Sequence, residues 1–160
     1  MVGSTHKSFL DPFLISYYFP IVPLAKKSIL LIPIFGWNAY LVNTIFVDRK
    51  NKISKKNAIK KMEEYVDIIS VTCVPLGIFP EGTRNPRDRE ILPFKNGIFD
   101  LSLKYNRHVL FLDIVNSIYF GKYGGVINIQ IIDIYNTNKP VTVENYKANV
   151  RNDIINCYKL

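Results

Sequence analysis

Apolar residues along this chain follow two periods, one typical of strands and the other typical of helices. Short apolar runs between turn-forming residues predict strands at residues 21–25, 44–47, 73–79, 109–115 and 126–134. Apolar positions spaced three or four apart predict helices at residues 11–19, 26–42, 54–69, about 97–105, and beyond Thr142. Strands and helices alternate over most of the length, and this order predicts an α/β sandwich.

The first predicted helix has two possible starts. Asp11 caps it and Pro12 takes the first helical position, or Ser8 is the cap and Asp11 is its capping-box partner. Pro20 ends the helix in either case, because proline cannot continue it. The second predicted helix, at residues 26–42, is expected in pieces that break near Pro33 and Gly36.

Two later helices are amphipathic, so each predicts its own buried face. For helix 54–69 that face is Ala58, Ile59, Met62, Val66 and Ile69. Thr142 is expected to cap the last helix, whose buried face is Tyr146, Val150, Ile154, Cys157 and Tyr158. The turn between the last two strands is predicted at Gly121, Gly124 and Gly125.

The longest apolar stretch, residues 29–47, is interrupted by proline, glycine and asparagine. A spanning helix needs about 20 predominantly apolar residues, so we expect an interfacial or core segment here and not a transmembrane one. Trp37 and Tyr40, with lysine and arginine on both sides, suit a membrane interface. A pair of core helices with ordinary surface charges is the alternative.

Composition narrows the class of protein and of partner. The chain has 160 residues, of which 48% are hydrophobic and 21% charged, as in a globular protein, and we expect a single domain over residues 1–160. A formal charge of +8 predicts an anionic partner: nucleic acid, an anionic membrane surface or a phosphorylated ligand. The basic residues are not interleaved with a recognised nucleic-acid-binding motif, so nucleic acid is the least favoured of the three.

The two cysteines indicate neither a disulfide framework nor a metal cluster, because Cys73 and Cys157 are far apart in sequence. We therefore expect a reducing compartment. Cys73 falls in the predicted strand 73–79 and is expected to be a core residue and not a nucleophile. No positively charged segment followed by an apolar one opens the chain, so a secretory signal is not expected.

Two short stretches could carry chemistry. His6 and Asp11 lie five residues apart, and if Asp11 begins a helix it could bind one imidazole nitrogen while the other nitrogen accepts a proton. The sequence Phe-Pro-Glu-Gly-Thr-Arg at residues 79–84 reads as a strand entering a tight loop, where Arg84 could bind a phosphate. Taken alone, each has an ordinary alternative: chance spacing for the first, and a turn with a Glu81–Arg84 ion pair for the second.

Four stretches in order give these motifs a context: THKSFLD, IPIFGWNAYLVNTIFVDR, FPEGTR and LPFKNGIFDLSLK. Together they resemble the glycerolipid acyltransferase family, typified by 1-acylglycerol-3-phosphate acyltransferases of the PlsC type, over residues 5–115. The resemblance implies a mostly parallel sheet flanked by helices, in agreement with the α/β pattern. It also implies transfer of a fatty acyl group to lysophosphatidate, giving phosphatidate.

The resemblance implies a role for each matching residue. His6 would be the general base and Asp11 its orienting partner. Acceptor-phosphate contacts would come from Arg84, Arg49 and Lys95. The loop that carries Arg84 would be shaped by Glu81, Gly82 and Thr83. No metal or cofactor is expected; acyl-CoA or acyl-carrier protein would be the co-substrate, and the protein would be membrane-associated and face the cytoplasm.

Three departures from the family pattern leave alternatives open. Thr5, where one branch often has asparagine, also resembles glycerol-3-phosphate and dihydroxyacetone-phosphate acyltransferases, so the acceptor could be unacylated. Residues 109–113 lack the two prolines of the family's fourth block. The helices and strand that usually precede the histidine are expected to be missing, which would suit a minimal form, a fragment, or a chain that relies on residues 29–47 for membrane contact. A catalytically silent lipid-binding relative is the alternative to an enzyme.

Overall fold

A computed structural model describes residues 1–87, 90–117, 127–135 and 142–158. Its strands form one sheet in the order β3-β2-β4-β1-β5-β6. Their bounds are β1 Val2–Ser4, β2 Val22–Lys26, β3 Ile45–Val47, β4 Leu76–Ile78, β5 Val109–Val115 and β6 Asn128–Tyr135. The pairs among β1 to β5 are parallel, and β6 pairs with β5 in antiparallel orientation. The expectation of an α/β fold with a mostly parallel sheet is therefore confirmed.

Helices follow the strands and cover both faces of the sheet. They are α1 Asp11–Tyr18, a short 3-10 helix Lys27–Leu31, α2 Phe35–Leu41, α3 Lys52–Thr72, α4 Gly97–Tyr105 and α5 Val143–Cys157. Residues of α3, α4 and α5 pack in one apolar cluster against the sheet, and Ile15 of α1 packs in a second cluster with Val2, Leu112 and Ile114. Parallel strands buried on both faces need mainly apolar side chains, which explains the near-continuous apolar run of β5, interrupted only by Asp113.

The central strand β1 corrects the expectation that no strand precedes His6. Val2 and Gly3 pair with β4 on one side and with β5 on the other. Gly3 is required there, because a Cβ at this position would collide with the ring of Phe111. Three residues that include a glycine and a serine give no apolar alternation, so the sequence pattern missed this strand.

Helix α3 runs further in both directions than the pattern predicted. Asn51 caps it by accepting a hydrogen bond from the Ser54 amide at 3.0 Å. At the other end the helix continues to Thr72, and Cys73 is its C-cap, with φ of 56°. Cys73 is therefore exposed and is not the buried strand residue that the pattern predicted. Cys73 takes the left-handed conformation that commonly ends a helix. Ile59, expected on the buried face, is exposed.

The last helix largely follows the prediction. The Thr142 hydroxyl accepts a hydrogen bond from the Asn145 amide at 3.3 Å, and this confirms the cap. Three residues of the expected face are buried, whereas Cys157 and Tyr158 at its end are only half-buried. The predicted glycine turn at residues 121–125 lies outside the described residues.

The segment at residues 29–47 is not a pair of core helices. The break near Pro33 is present, between the 3-10 helix and α2, but Gly36 lies inside α2, where a Cβ would be 2.6 Å from the Leu30 carbonyl oxygen. Gly36 is the one buried residue of α2, and Trp37 is 79% exposed. Among the described residues, no helix combines the length and the apolar character needed to cross a membrane.

Candidate active site

The candidate site lies where the loops after β1 and β4 meet. These two strands are parallel neighbours, so their carboxyl ends reach the same edge of the sheet. His6 follows β1 by two residues and Glu81 follows β4 by three. Ligands of open parallel sheets commonly bind at this edge. Two segments 75 residues apart in sequence therefore form one site.

His6 is placed against Asp11 in the geometry of a histidine–carboxylate pair. The His6 Nδ1 atom lies 3.1 Å from Asp11 Oδ2, and the side chains are 18% and 0% exposed. Because an ionised carboxylate only accepts hydrogen bonds, this contact assigns the proton to Nδ1 and leaves the Nε2 lone pair available. The imidazole can then accept a proton at Nε2 from a neighbouring hydroxyl.

Asp11 is held by the backbone of the same loop. Its Oδ2 atom also accepts hydrogen bonds from the amides of Lys7 and Ser8, at 2.6 and 2.7 Å. The bond from Ser8 is one half of the capping box that the sequence offered as an alternative, although Leu10 occupies the N-cap position. The carboxylate also lies in the first turn of α1, where the helix dipole stabilises a negative charge.

Phe79 fixes the plane of the imidazole. Its ring stacks on that of His6 with the centroids 4.3 Å apart and the planes 27° from parallel. The phenylalanine comes directly after β4, so the FPEGTR segment supplies a contact to the histidine as well as a loop. Sequence analysis assigned Phe79 no role, because its contact with His6 depends on how β1 and β4 pair.

Glu81 joins the two loops instead of pairing with Arg84. Its Oε1 and Oε2 atoms accept hydrogen bonds from the amides of His6 and Leu92, each at 3.0 Å. Burial raises the pKa of Glu81 above its ordinary value of 4.5, while these two hydrogen bonds and the charges of Lys7 and His6 oppose the increase. Within the described residues no ion pair joins Glu81 and Arg84, so the alternative of a local ion pair is wrong.

Gly82 and Lys95 lie in direct contact beside this loop. Gly82 has φ of 68°, and a Cβ there would be 2.6 Å from the Lys95 Nζ atom. The Lys95 amide donates to the Pro80 carbonyl at 2.8 Å, so the segment before α4 and the loop are also joined through the backbone. Glycine is favoured mainly by the left-handed conformation, because the end of the lysine side chain is flexible and can move aside.

Lys95 lies near two other positively charged side chains, those of Arg49 and Lys55. Partial burial lowers the pKa of Lys95 below its ordinary 10.5, and the positive charges of Arg49 and then Lys55 lower it further. Two of the three predicted phosphate contacts, Arg49 and Lys95, are therefore electrostatic neighbours. Lys55 lies in the first turn of α3, and the packing of α3 beside β3 brings it to this cluster.

Arg84 and Thr83 are exposed at the tip of the loop. Within the described residues, the Arg84 guanidinium makes no ion pair, so its charge is not neutralised by a neighbouring carboxylate. The backbone N–H of Asn85, the next residue, donates a hydrogen bond to the His6 carbonyl at 2.7 Å. The loop is thus fixed at Glu81 and Asn85 and exposes Arg84 between them.

Comparison with known proteins matches this chain to acyltransferases, both by family model and by individual relatives. A family model described as Acyltransferase matches residues 2–114. The chain is 39% identical over 103 residues to a 1-acyl-sn-glycerol-3-phosphate acyltransferase of Limnanthes douglasii, with 63% of this chain and 35% of that protein covered. The protein of that name from Haemophilus influenzae is 30% identical over 164 residues, with 97% and 63% covered.

A solved structure shares the fold. It is the crystal structure of the 1-acyl-sn-glycerophosphate (LPA) acyltransferase, PlsC, from Thermotoga maritima, with a TM-score of 0.75 and 23% identity over 99% of this chain and 64% of that one. The chain spans about a third to two thirds of the length of these relatives.

Proposed function

Because this chain belongs to the acyltransferase family, we propose that it transfers a fatty acyl group from an acyl thioester to the free hydroxyl of lysophosphatidate. The product would be phosphatidate, which is the product expected of enzymes with the name that the matched relatives carry. The observation that carries the proposal is the 3.1 Å contact between His6 Nδ1 and Asp11 Oδ2 at the carboxyl edge of the sheet.

The proposed reaction needs one base and no acyl-enzyme. His6 Nε2 takes the proton of the acceptor hydroxyl as the hydroxyl oxygen attacks the thioester carbonyl carbon. The tetrahedral intermediate then collapses, the carbon–sulfur bond breaks, and the departing thiolate recovers the proton from His6. Asp11 stabilises the imidazolium formed between these steps and keeps the ring oriented. Acyl-CoA or acyl-carrier protein serves as the co-substrate, and no further cofactor takes part.

The acceptor phosphate would bind the cationic cluster beside Gly82. A phosphate monoester carries up to two negative charges, and Lys95, Arg49 and Lys55 together supply positive charge that no carboxylate neutralises within the described ion pairs. The planar guanidinium of Arg84 suits bidentate binding of phosphate. Binding there would place the acceptor between the cluster and His6, so that position and not covalent chemistry lowers the barrier.

Paired arginine variants test this phosphate site. Arg84→Ala should raise the KM for lysophosphatidate by roughly tenfold, because charge-assisted hydrogen bonds contribute about 1.5–3 kcal/mol. Arg87→Ala is the matched control: Arg87 is also exposed in this loop, but its guanidinium pairs with Glu90 at 3.2 Å. Equal effects of the two substitutions on KM would remove Arg84 from the site.

The choice of acceptor is tested by offering lysophosphatidate and glycerol 3-phosphate with one acyl-CoA. We expect a higher kcat/KM for lysophosphatidate. Preference for the unacylated acceptor would instead assign the chain to glycerol-3-phosphate acylation, the alternative that Thr5 leaves open. No thioester cleavage with either acceptor would favour a catalytically silent lipid-binding relative.

We also propose that the protein associates with the cytoplasmic face of a membrane through an apolar surface. This surface consists of the exposed side chains of the 3-10 helix, α2 and the outer side of α1, among them Leu31, Trp37, Leu41 and Tyr17. Phe13 of α1 meets Phe35 of α2 with ring centroids 5.4 Å apart, so the two parts are continuous. Such a surface is larger than the isolated apolar residues that soluble proteins commonly expose.

Trp37 is the one tryptophan of the chain, so tryptophan fluorescence measures membrane binding at this surface. Vesicles that contain phosphatidate should shift its fluorescence to shorter wavelength, because the indole would leave water. Leu31→Asp should weaken this shift, whereas Val71→Asp, an equally exposed position on α3, should not. An unchanged spectrum with both anionic and neutral vesicles would contradict membrane binding through this surface.

A further inference from the structure

Thr5, the residue before His6, forms a buried hydrogen-bonded pair with Asp113, and neither residue has a role in the proposed reaction. The Thr5 hydroxyl donates to Asp113 Oδ1 at 2.5 Å and accepts from the Ile114 amide at 3.2 Å. The two side chains are 1% and 0% exposed.

Tyr158, just after α5, connects this pair to the other neighbour of His6. Its hydroxyl donates to Asp113 Oδ1 at 3.1 Å. Its ring lies 6.0 Å from the Nζ atom of Lys7, a distance at which a cation–π interaction is still possible. Lys7 is itself buried and donates to the carbonyls of Arg87 and Glu90. The residues on both sides of His6 are thus tied to one tyrosine.

The buried carboxylate of Asp113 would destabilise the fold if its hydrogen bonds were not made. Val109, Phe111, Leu112 and Ile114 around it are almost fully buried apolar residues of β5. Burying a charged or polar group among such residues destabilises a fold unless its hydrogen bonds are made, and replacing such a group by an apolar one is often neutral or stabilising. Packing alone therefore gives no reason for an aspartate here.

We propose that Thr5, Asp113 and Tyr158 form a positioning network for the general base. The network anchors the backbone on the β1 side of His6, while Glu81 and Asn85 hold the His6 amide and carbonyl. It thereby fixes the distance between the imidazole and Asp11. The effect of this network on catalysis rests on the proposed function, whereas its effect on the position of the imidazole can be measured whether or not the protein transfers acyl groups.

The first test measures the histidine itself. The chain has two histidines, His6 and His108, so ring-nitrogen NMR of the whole protein gives two sets of signals. Thr5→Val and Tyr158→Phe should shift or broaden the His6 signals and leave those of the exposed His108 in place. Thr5→Ser should recover most of the His6 spectrum, because it keeps the hydroxyl. Tyr65→Phe is the control, since it removes a tyrosine hydroxyl that donates to the Val74 carbonyl at 3.0 Å.

The second test measures acyl transfer by the same variants. Thr5→Val and Tyr158→Phe should each lower kcat by about tenfold, as expected when a hydrogen bond to a charged group is lost, with the KM for the acceptor unchanged. His6 signals that stay at their wild-type positions in both variants would overturn the proposal, whatever happens to kcat. Shifted His6 signals in a chain whose wild type transfers no acyl group would leave the network standing and refute the proposed function.

Discussion

Gly82→Ala tests how the FPEGTR loop is built, because the structure gives two separate reasons for glycine there. The residue has φ of 68°, and an added Cβ would lie 2.6, 2.8 and 2.9 Å from the Nζ, Cε and Cδ atoms of Lys95. A left-handed conformation costs a residue with a Cβ about 1–2 kcal/mol. The lysine end is flexible and can move aside, so the collision adds little to the loss of stability.

The same collision should change function more than stability. Lys95 would have to leave the surface of Gly82, and its ammonium would move away from the proposed phosphate position. We expect the KM for lysophosphatidate to rise by roughly tenfold, the loss expected for one charge-assisted hydrogen bond. Urea unfolding measures the first effect, and initial rates at varied acceptor concentration measure the second.

Gly97→Ala is the matched control. Gly97 is the first residue of α4, and a Cβ there would meet no atom within 4 Å. Alanine is a better helix former than glycine by about 1 kcal/mol, so this substitution should be neutral or stabilising. If Gly82→Ala and Gly97→Ala changed the free energy of unfolding and the KM alike, the described contact between Gly82 and Lys95 would be refuted.

Two further predictions concern the frame around the site. Gly3→Ala should lower the free energy of unfolding by about 1–3 kcal/mol, because its Cβ would collide with the buried ring of Phe111; unchanged urea unfolding would contradict the pairing of β1. Glu81 should make the protein less stable as the pH rises. Burial raises the pKa of Glu81, so the folded state binds the carboxyl proton more tightly than the unfolded state does. The contribution of this group to the free energy of unfolding is fully present below pH 4.5, the ordinary pKa of a glutamate, and is lost as the pH rises through the raised pKa of the folded state. Wild type measured relative to Glu81→Gln should therefore lose stability above pH 4.5, and a flat difference would contradict this account.

Regular elements were predictable where the chain repeats a period many times. Helix α5 has several apolar positions at helical spacing and β5 is a near-continuous apolar run, and the structure places both where the pattern does. Strand β1 has three residues, too few for any period to show. The strand predicted from Cys73 begins only at Leu76, because Cys73 caps α3. β-Branched residues near Cys73 suit either state, and packing decides between them.

The candidate site was predictable only in its parts. The resemblance of the four ordered motifs to the acyltransferase family pointed to His6, Asp11, Arg84, Arg49 and Lys95, and the catalytic and binding roles of these residues stay predictions. Their neighbours depend on long-range pairing of strands. Thr5 meets Asp113 across 108 positions of sequence, for example, because β1 and β5 are adjacent.

The most direct test of the account is acyl transfer from acyl-CoA to lysophosphatidate by His6→Ala, Asp11→Asn and His108→Ala variants. His6 is held at Nδ1 by Asp11, whereas His108 is exposed and outside the site. We predict that His6→Ala lowers kcat by about 10²–10⁴-fold, the usual contribution of a general base, that Asp11→Asn lowers it less, and that His108→Ala retains wild-type activity. Undiminished transfer by His6→Ala would contradict the assignment of His6 as the base.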